Sequence, residues 1–145
     1  MYFCTNIRPM KKFTLFLLVI VTICLASCQD PAKSRLYMDN GYKLMMNYSK
    51  LDEAEAAFNK AVKYDKSNFE AYYYRGCVKV NMKRYQDAIA DFEKTIELKP
   101  DYADAYFNIG RVYFILNDED QACEYYKLAA KYGRPNLEDY LKRCP

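Results

Sequence analysis

Histidine and tryptophan are both absent from the 145-residue chain, and only four glycines and five prolines occur. Histidine is the commonest general base and the commonest metal ligand, so its absence removes the usual side chain for both tasks. The sequence also lacks a nucleophile motif and a phosphate-binding glycine loop, and no two of the cysteines after Cys28 are closely spaced. We therefore expect a protein that is not an enzyme and that holds no cofactor or metal.

An excess of either charge is missing once the first residues are set aside. Three of the 22 basic residues precede Cys28, so 19 basic and 19 acidic residues follow it. A surface that binds phosphate backbones needs a basic patch, and this balance therefore argues against a nucleic-acid partner. We interpret Asp118-Glu119-Asp120 as the charged start of a helix, and Asp87, Asp91 and Glu93 as solvent-exposed charges.

The apolar run at residues 13–26 is shorter than the roughly 20 residues that a membrane-spanning helix needs. It follows Lys11-Lys12 and ends in Leu25-Ala26-Ser27-Cys28, the order of parts in a secretory signal. The last four residues resemble a bacterial lipobox. That resemblance implies cleavage of residues 1–27 and acylation of Cys28, since several acyl chains anchor a protein stably. A plain secretory signal and an uncleaved anchor are the alternatives, and Met10 is a second possible start.

If the lipobox functions, the domain is exported and anchored in the bacterial cell envelope. The anchor lies in the inner or the outer membrane, and the domain faces the periplasm or the cell surface. Residues 28–34 are polar, contain Pro31 and show no periodicity. We predict that they form a short disordered tether between the anchor and the folded domain.

Three alanines, Ala54, Ala88 and Ala122, follow one another at intervals of 34 residues. An aromatic residue stands four positions after each alanine, and a small residue stands seven positions after it. This spacing is typical of one face of an amphipathic helix. A fixed period of this length indicates a solenoid of helix pairs, in which no pair buries its apolar face alone.

These positions resemble the tetratricopeptide repeat family. The second unit, residues 69–102, supplies the aromatic, small, alanine and proline positions of that family's motif as Tyr72, Gly76, Tyr85, Ala88, Phe92 and Pro100. The third unit, residues 103–136, matches with Tyr106, Gly110, Tyr113, Ala122, Tyr126 and Ala129. The first unit, residues 35–68, is degenerate: Lys66 replaces its proline, and one extra residue lies near the turn at 47–50.

The resemblance implies an all-α, right-handed α-solenoid of three antiparallel helix pairs with a concave groove. We predict helices at residues 35–47, 51–64, 69–82, 85–98, 103–116 and 119–132. Residues 137–145 add a capping helix, since Leu137, Tyr140 and Leu141 form one apolar stripe that covers the exposed face of the last repeat. The resemblance implies no catalytic chemistry.

Three cysteines remain after Cys28. Cys123 lies in the second helix of the last repeat, and Cys144 ends the helix that folds back on it, so we predict a disulfide between them. Two buried free thiols are the alternative. Cys77 has no cysteine nearby in the sequence, and we interpret it as a packing residue.

The resemblance also implies which side chains line the groove, because ligands of this family lie along the first helix of each pair. Aligned positions in the three units are Met38, Tyr42 and Met45; Tyr73, Tyr74, Cys77, Val80 and Asn81; and Phe107, Asn108, Arg111, Phe114 and Ile115. The same aromatic residues are alternatively core residues between helices. Tyrosine-rich surfaces favour recognition, and Arg111 with Asn108 suits a carboxylate or carbonyl.

We therefore predict a monomeric, non-catalytic scaffold or adaptor that binds a protein or peptide in its groove. An envelope polysaccharide or a small ligand is the alternative occupant, because tyrosine faces also stack on sugar rings. End-to-end assembly of the repeats is a third possibility, which the capping helix disfavours.

Overall fold

The computed structural model describes residues 29–144, and every regular element in this part of the chain is helical. The predicted all-α solenoid is therefore confirmed. None of the helices in residues 29–144 is long and apolar enough to cross a membrane. The helices are α1 (Pro31–Met45), a 3-10 turn (Tyr48–Lys50), α2 (Leu51–Tyr64), α3 (Phe69–Asn81), α4 (Tyr85–Leu98), α5 (Ala103–Ile115), α6 (Glu119–Lys131) and α7 (Glu138–Leu141).

Helices pair in chain order, α1 with α2, α3 with α4 and α5 with α6, and each pair packs on the next. Inside each pair a glycine of the first helix faces an aromatic ring of the second. A Cβ atom on Gly76 would lie 2.7 Å from the ring of Phe92, and one on Gly110 would lie 2.8 Å from that of Tyr126. Side chains cannot occupy such distances, so only glycine permits these helices to approach so closely.

A buried ion cluster lies within the second repeat, and one hydrogen bond joins it to the first repeat. Arg75 donates two hydrogen bonds to Asp91, at 2.8 and 2.5 Å, and a third to the side chain of Asn59 on α2. The ammonium of Lys79 lies 2.8 Å from the same carboxylate. Asp91 is only 4 % exposed, so its interpretation as a solvent-exposed charge was wrong. The bidentate geometry and the second cation compensate for the loss of water around this carboxylate.

Helix α1 begins at Pro31, four residues before its predicted start, so the disordered tether predicted for residues 28–34 is wrong from that residue onward. Asp30 caps the helix by accepting a hydrogen bond from the backbone N–H of Lys33 at 3.0 Å, and Pro31 occupies the first turn. The Ser34 hydroxyl is buried and donates to the carbonyl of Ala61 at 2.9 Å. These bonds hold the segment against α2. Bounds of α2 to α6 agree with the predicted ones to within one residue.

The capping helix is shorter than predicted, because α7 covers only Glu138–Leu141. Leu137 is buried, and the ring of Tyr140 lies 5.1 Å from that of Phe107 and 5.0 Å from that of Tyr126. A disulfide joins Cys144 to Cys123 on α6, the pairing that the sequence predicts, with 5.4 Å between the Cα atoms. The segment is thus fastened over the last repeat by packing and by a covalent bond.

Loss of the disulfide should weaken the last repeat. Its 21-residue separation corresponds to about 3 kcal/mol of chain entropy. We expect Cys144→Ser to lower the free energy of unfolding in urea by about that amount. Dithiothreitol should lower the free energy of unfolding of the wild-type protein to the value of the variant, and it should leave that of the variant unchanged. A variant as stable as the oxidised wild type would contradict this expectation.

Two first helices end in the same left-handed turn, at Lys83 with φ of 60° and at Asn117 with φ of 62°. Asparagine tolerates this conformation better than lysine does. Lys83→Asn should therefore raise the free energy of unfolding by about 0.5 to 1 kcal/mol. The reciprocal change Asn117→Lys is the matched control and should lower it by a similar amount. Equal effects of one sign in both variants would refute the explanation.

Candidate functional site

A cleft of about 270 Å³ opens on the face formed by the first helices of the three pairs. Its lining comes from the end of α1 and the following turn, from the last turns of α3, and from the middle of α5. The lining residues are Met45, Met46, Tyr48, Cys77, Val80, Asn81, Asn108 and Arg111. Mostly apolar walls with a few polar groups are typical of a binding site.

Predicted groove residues on α3 share one helix face, because Tyr74, Cys77 and Asn81 stand three and four residues apart. Asn81 is exposed. Tyr74 packs edge-to-face on Tyr42 of α1, with ring centroids 5.5 Å apart, and it also lies 6.0 Å from the buried ring of Phe58. The two tyrosines thus join the first repeat to the second beside the cleft, and Tyr42 remains 46 % exposed.

A short hydrogen-bond chain positions Arg111. The side-chain amide of Asn108 donates to the hydroxyl of Tyr73 at 2.9 Å and to the carbonyl of Asp104 at 3.1 Å. Its oxygen accepts a 3.2 Å hydrogen bond from the Arg111 guanidinium. Asn108 is largely buried, whereas Arg111 is exposed. Asn108 therefore orients Arg111, which lines the cleft and whose remaining N–H groups suit a carboxylate or a backbone carbonyl.

Phe107 does not line the groove, so that prediction is wrong. Its ring is only 7 % exposed, because Tyr140 of the capping segment packs on it and the Arg134 guanidinium lies 3.8 Å from its centroid. Tyr73 is partly buried between repeats, with its ring 5.0 Å from that of Tyr102. Phe114 is 42 % exposed but does not line the cleft, because its ring lies in a separate cavity with Tyr140 and Arg143 of the capping segment.

Two lining residues, Met46 and Tyr48, were missed from the sequence. They lie in the turn after α1 and are 61 % and 76 % exposed, although both side chains are apolar or aromatic. Their signal was available: large apolar residues in a turn have no helix face to bury. This turn covers residues 46–50 and includes a 3-10 turn, whereas the corresponding turns of the other repeats cover only residues 82–84 and 116–118.

Cys77 is partly buried in the wall of the cleft. Burial raises the pKa of its thiol to about 11, since a thiolate there would lose its water. The thiol is therefore protonated near neutral pH and is a poor nucleophile. Within residues 29–144, no cluster of three or more His, Cys, Asp or Glu residues forms a metal site. Cys28, the predicted lipid-anchor residue, lies outside the described residues.

Three stacked helix pairs with an apolar concave cleft and one oriented guanidinium define a helical-repeat scaffold. Tetratricopeptide repeat models match residues 57–90, 76–117 and 103–132, which together span most of the three pairs. The chain is therefore a tetratricopeptide repeat protein.

Similar proteins cover much of the chain. An Hsp70-Hsp90 organizing protein of Triticum aestivum is 36% identical over 78 residues, and DnaJ homolog subfamily C member 3 of Homo sapiens is 31% identical over 126 residues. These matches cover 54% and 86% of the chain but only 13% and 25% of the relatives. The chain thus spans a quarter or less of their length.

The first tetratricopeptide domain of Spaghetti (RPAP3), solved with an HSP90 peptide, superposes with a TM-score of 0.74. The match covers 80% of this chain and 93% of that domain. At 23% sequence identity this likeness shows the fold alone.

The raised thiol pKa predicts slow alkylation of Cys77. At pH 8 a pKa of about 11 leaves roughly 100-fold less thiolate than the ordinary value of 9. Iodoacetamide should therefore modify Cys77 about 100-fold more slowly in the folded protein than in urea, and the folded rate should rise up to about pH 11. Peptide mass spectrometry measures both rates. Equal rates would show that the thiol is not shielded.

Proposed function

We propose that this protein is a non-catalytic scaffold or adaptor whose concave cleft binds a segment of another protein. The observation that carries the proposal is the cleft itself, in which Met45, Met46 and Tyr48 form an apolar wall opposite Arg111. An extended peptide presents both matching features at once, because its side chains are apolar in part and its carbonyls accept hydrogen bonds. A rigid helical stack presents these groups with little ordering cost on binding.

The comparisons support a peptide as the occupant in a limited way. The RPAP3 domain is described with an HSP90 peptide, and several relatives are named as Hsp70-Hsp90 organizing proteins. Those properties belong to those proteins. Members of the family that bind a C-terminal carboxylate are expected to have a basic or Asn residue at the position of Tyr74. The tyrosine at this position beside the cleft therefore argues for a different peptide specificity.

We further propose that Cys28 is the lipid-anchor residue and that the domain works in the bacterial cell envelope. The order of charged, apolar and small residues before Cys28 supports this assignment. The disulfide between Cys123 and Cys144 also supports it, since such bonds persist in oxidising compartments. The capping segment covers the last repeat, which favours a monomer, and light scattering of the purified protein tests that state.

The groove is tested by Tyr48→Ala combined with Arg111→Ala. Both side chains are exposed lining residues, so the double variant should keep its helical content. Crosslinking in the native membrane, followed by purification and mass spectrometry, should show one dominant protein partner for the wild type. The variant should capture at least about tenfold less of this partner. Truncating an aromatic or Arg residue that anchors an interface costs about 1 to 2 kcal/mol of binding free energy or more.

Lys94→Ala combined with Lys127→Ala is the matched control, because both lysines lie on second helices away from the cleft. This control should capture the partner as the wild type does. Equal capture by the groove variant would refute the groove. Co-purification of a glycan, lost on addition of free sugar, would replace the peptide by the polysaccharide as the occupant.

A further inference from the structure

The start of the folded domain is fixed against α2. The backbone N–H of Asp30 donates a 2.8 Å hydrogen bond to the carbonyl of Tyr64, the last residue of α2. Asp30 follows Cys28 by two positions in the sequence, and an extended chain spans at most about 7 Å over two residue steps. A membrane anchor attached to Cys28 would therefore be kept close to this end of the first repeat.

Two tyrosines and two lysines lie side by side at this end. The rings of Tyr37 on α1 and Tyr64 on α2 are stacked with centroids 5.5 Å apart and planes within 3° of parallel. The ammonium of Lys33 lies 5.5 Å from the centroid of Tyr64, and that of Lys60 lies 5.3 Å from the centroid of Tyr37. Both lysines are exposed. Each ammonium group thus lies close enough to a tyrosine ring for a cation–π interaction.

Leu36 adds an apolar group to the same surface. It follows Lys33 by three residues, on the side of Lys33 that faces away from Tyr37 around α1, and it is 65 % exposed, which is high for a leucine in a helix. We call the set Lys33, Leu36, Tyr37, Lys60 and Tyr64 the anchor-proximal face. No contact within residues 29–144 buries its outer side, because α1 is the first helix of the stack in the described part.

The charge around the face is positive. Further exposed cations of the first repeat at this end are Arg35, Lys63 and Lys66. The acidic groups at this end are Asp30, whose carboxylate lies 3.0 Å from Lys33, and Asp39, Asp65 and Glu70, which line one pocket with Arg35. Five cations therefore stand beside four carboxylates, and three of those carboxylates lie in the pocket with Arg35. The acidic residues of α2, Asp52, Glu53 and Glu55, lie in the first half of that helix, away from this end.

We propose that the anchor-proximal face lies on a bilayer that contains anionic phospholipids, with its lysines at the headgroup phosphates. This inference rests on the proposed acylation of Cys28, which places lipid within reach of the face. Lysines are attracted to anionic headgroups, and tyrosines and a single leucine are favoured at the boundary between headgroups and acyl chains. The bilayer then orients the stack as well as retaining it.

A test uses the protein purified from its membrane and reconstituted in vesicles. One set contains phosphatidylcholine alone, and the other contains phosphatidylcholine with phosphatidylglycerol. Acetylation of each lysine by a soluble reagent is followed by mass spectrometry. Two lysines at an anionic surface favour the docked state by about 30-fold. Acetylation of Lys33 and Lys60 should slow by up to about that factor with phosphatidylglycerol only, and 1 M salt should reverse the effect.

A charge variant shows whether the face causes the docking. In Lys33→Gln combined with Lys60→Gln, the neighbouring Lys63 should react equally in both vesicle types. Lys127→Gln combined with Lys131→Gln removes the same charge from α6 at the other end of the stack, and Lys131 also lies near a tyrosine ring. This control should retain the protection of Lys33 and Lys60. Loss of protection in both variants would mean a general charge effect and would overturn the proposal.

The same digest separates the two proposals. An unmodified Cys28 peptide would overturn the anchor, while protection of Lys33 and Lys60 by added anionic vesicles would still support the face. An acylated Cys28 peptide with equal acetylation in both vesicle types would overturn the face alone. Protection in the native membrane that is missing from pure lipid vesicles would assign the face to a protein and would likewise overturn the proposal.

Discussion

The contact between a glycine and an aromatic ring inside each helix pair is the constraint on which the rest of the structure depends. Gly41, Gly76 and Gly110 face Phe58, Phe92 and Tyr126, and a Cβ atom at any of them would come within 2.8 Å of the ring. The rings of Phe58 and Phe92 are fully buried. This contact sets how closely two helices approach, and the approach of the pairs sets the curvature of the stack. The concave cleft exists because three such pairs repeat in register.

Polar groups then decide what the cleft presents. Asn108 is occupied by Tyr73, Asp104 and Arg111, so it acts as a support for the guanidinium and not as a group for a partner. Such support reduces the freedom that Arg111 loses on binding, which is the benefit of a preorganised site. The apolar wall comes from the α1–α2 turn, where Met46 and Tyr48 are exposed because no helix covers them. The first repeat, which departs most from the motif of the family, thus supplies the apolar wall of the cleft.

Both ends of the described solenoid are fastened. At one end Asp30 and Ser34 bind backbone carbonyls of α2, and at the other the disulfide holds the capping segment over Phe107. A terminal repeat would otherwise expose its apolar side. Because the first end is fixed, an anchor at Cys28 would hold the domain close to the membrane surface, without a flexible linker between them. The proposed lipid contact and the proposed peptide groove lie on different parts of the first repeat, so both can be used at once.

The sequence alone determined the helix pairs, since the 34-residue period recurs in alanines, glycines and aromatic residues, and helix bounds follow from that local pattern. The sequence also contained a helix-start signal, Asp30 followed by Pro31. The polar composition of residues 28–34 was given more weight than this signal, and the segment was therefore predicted to be a disordered tether. Only the tertiary structure decided which aromatic residues bind and which pack. Phe107 and Phe114 stand on the same helix with equal apolar character, yet Arg134 and Tyr140, 27 and 33 residues away in the chain, bury the first and leave the second exposed. Burial depends on such distant contacts, and a repeat pattern does not contain them.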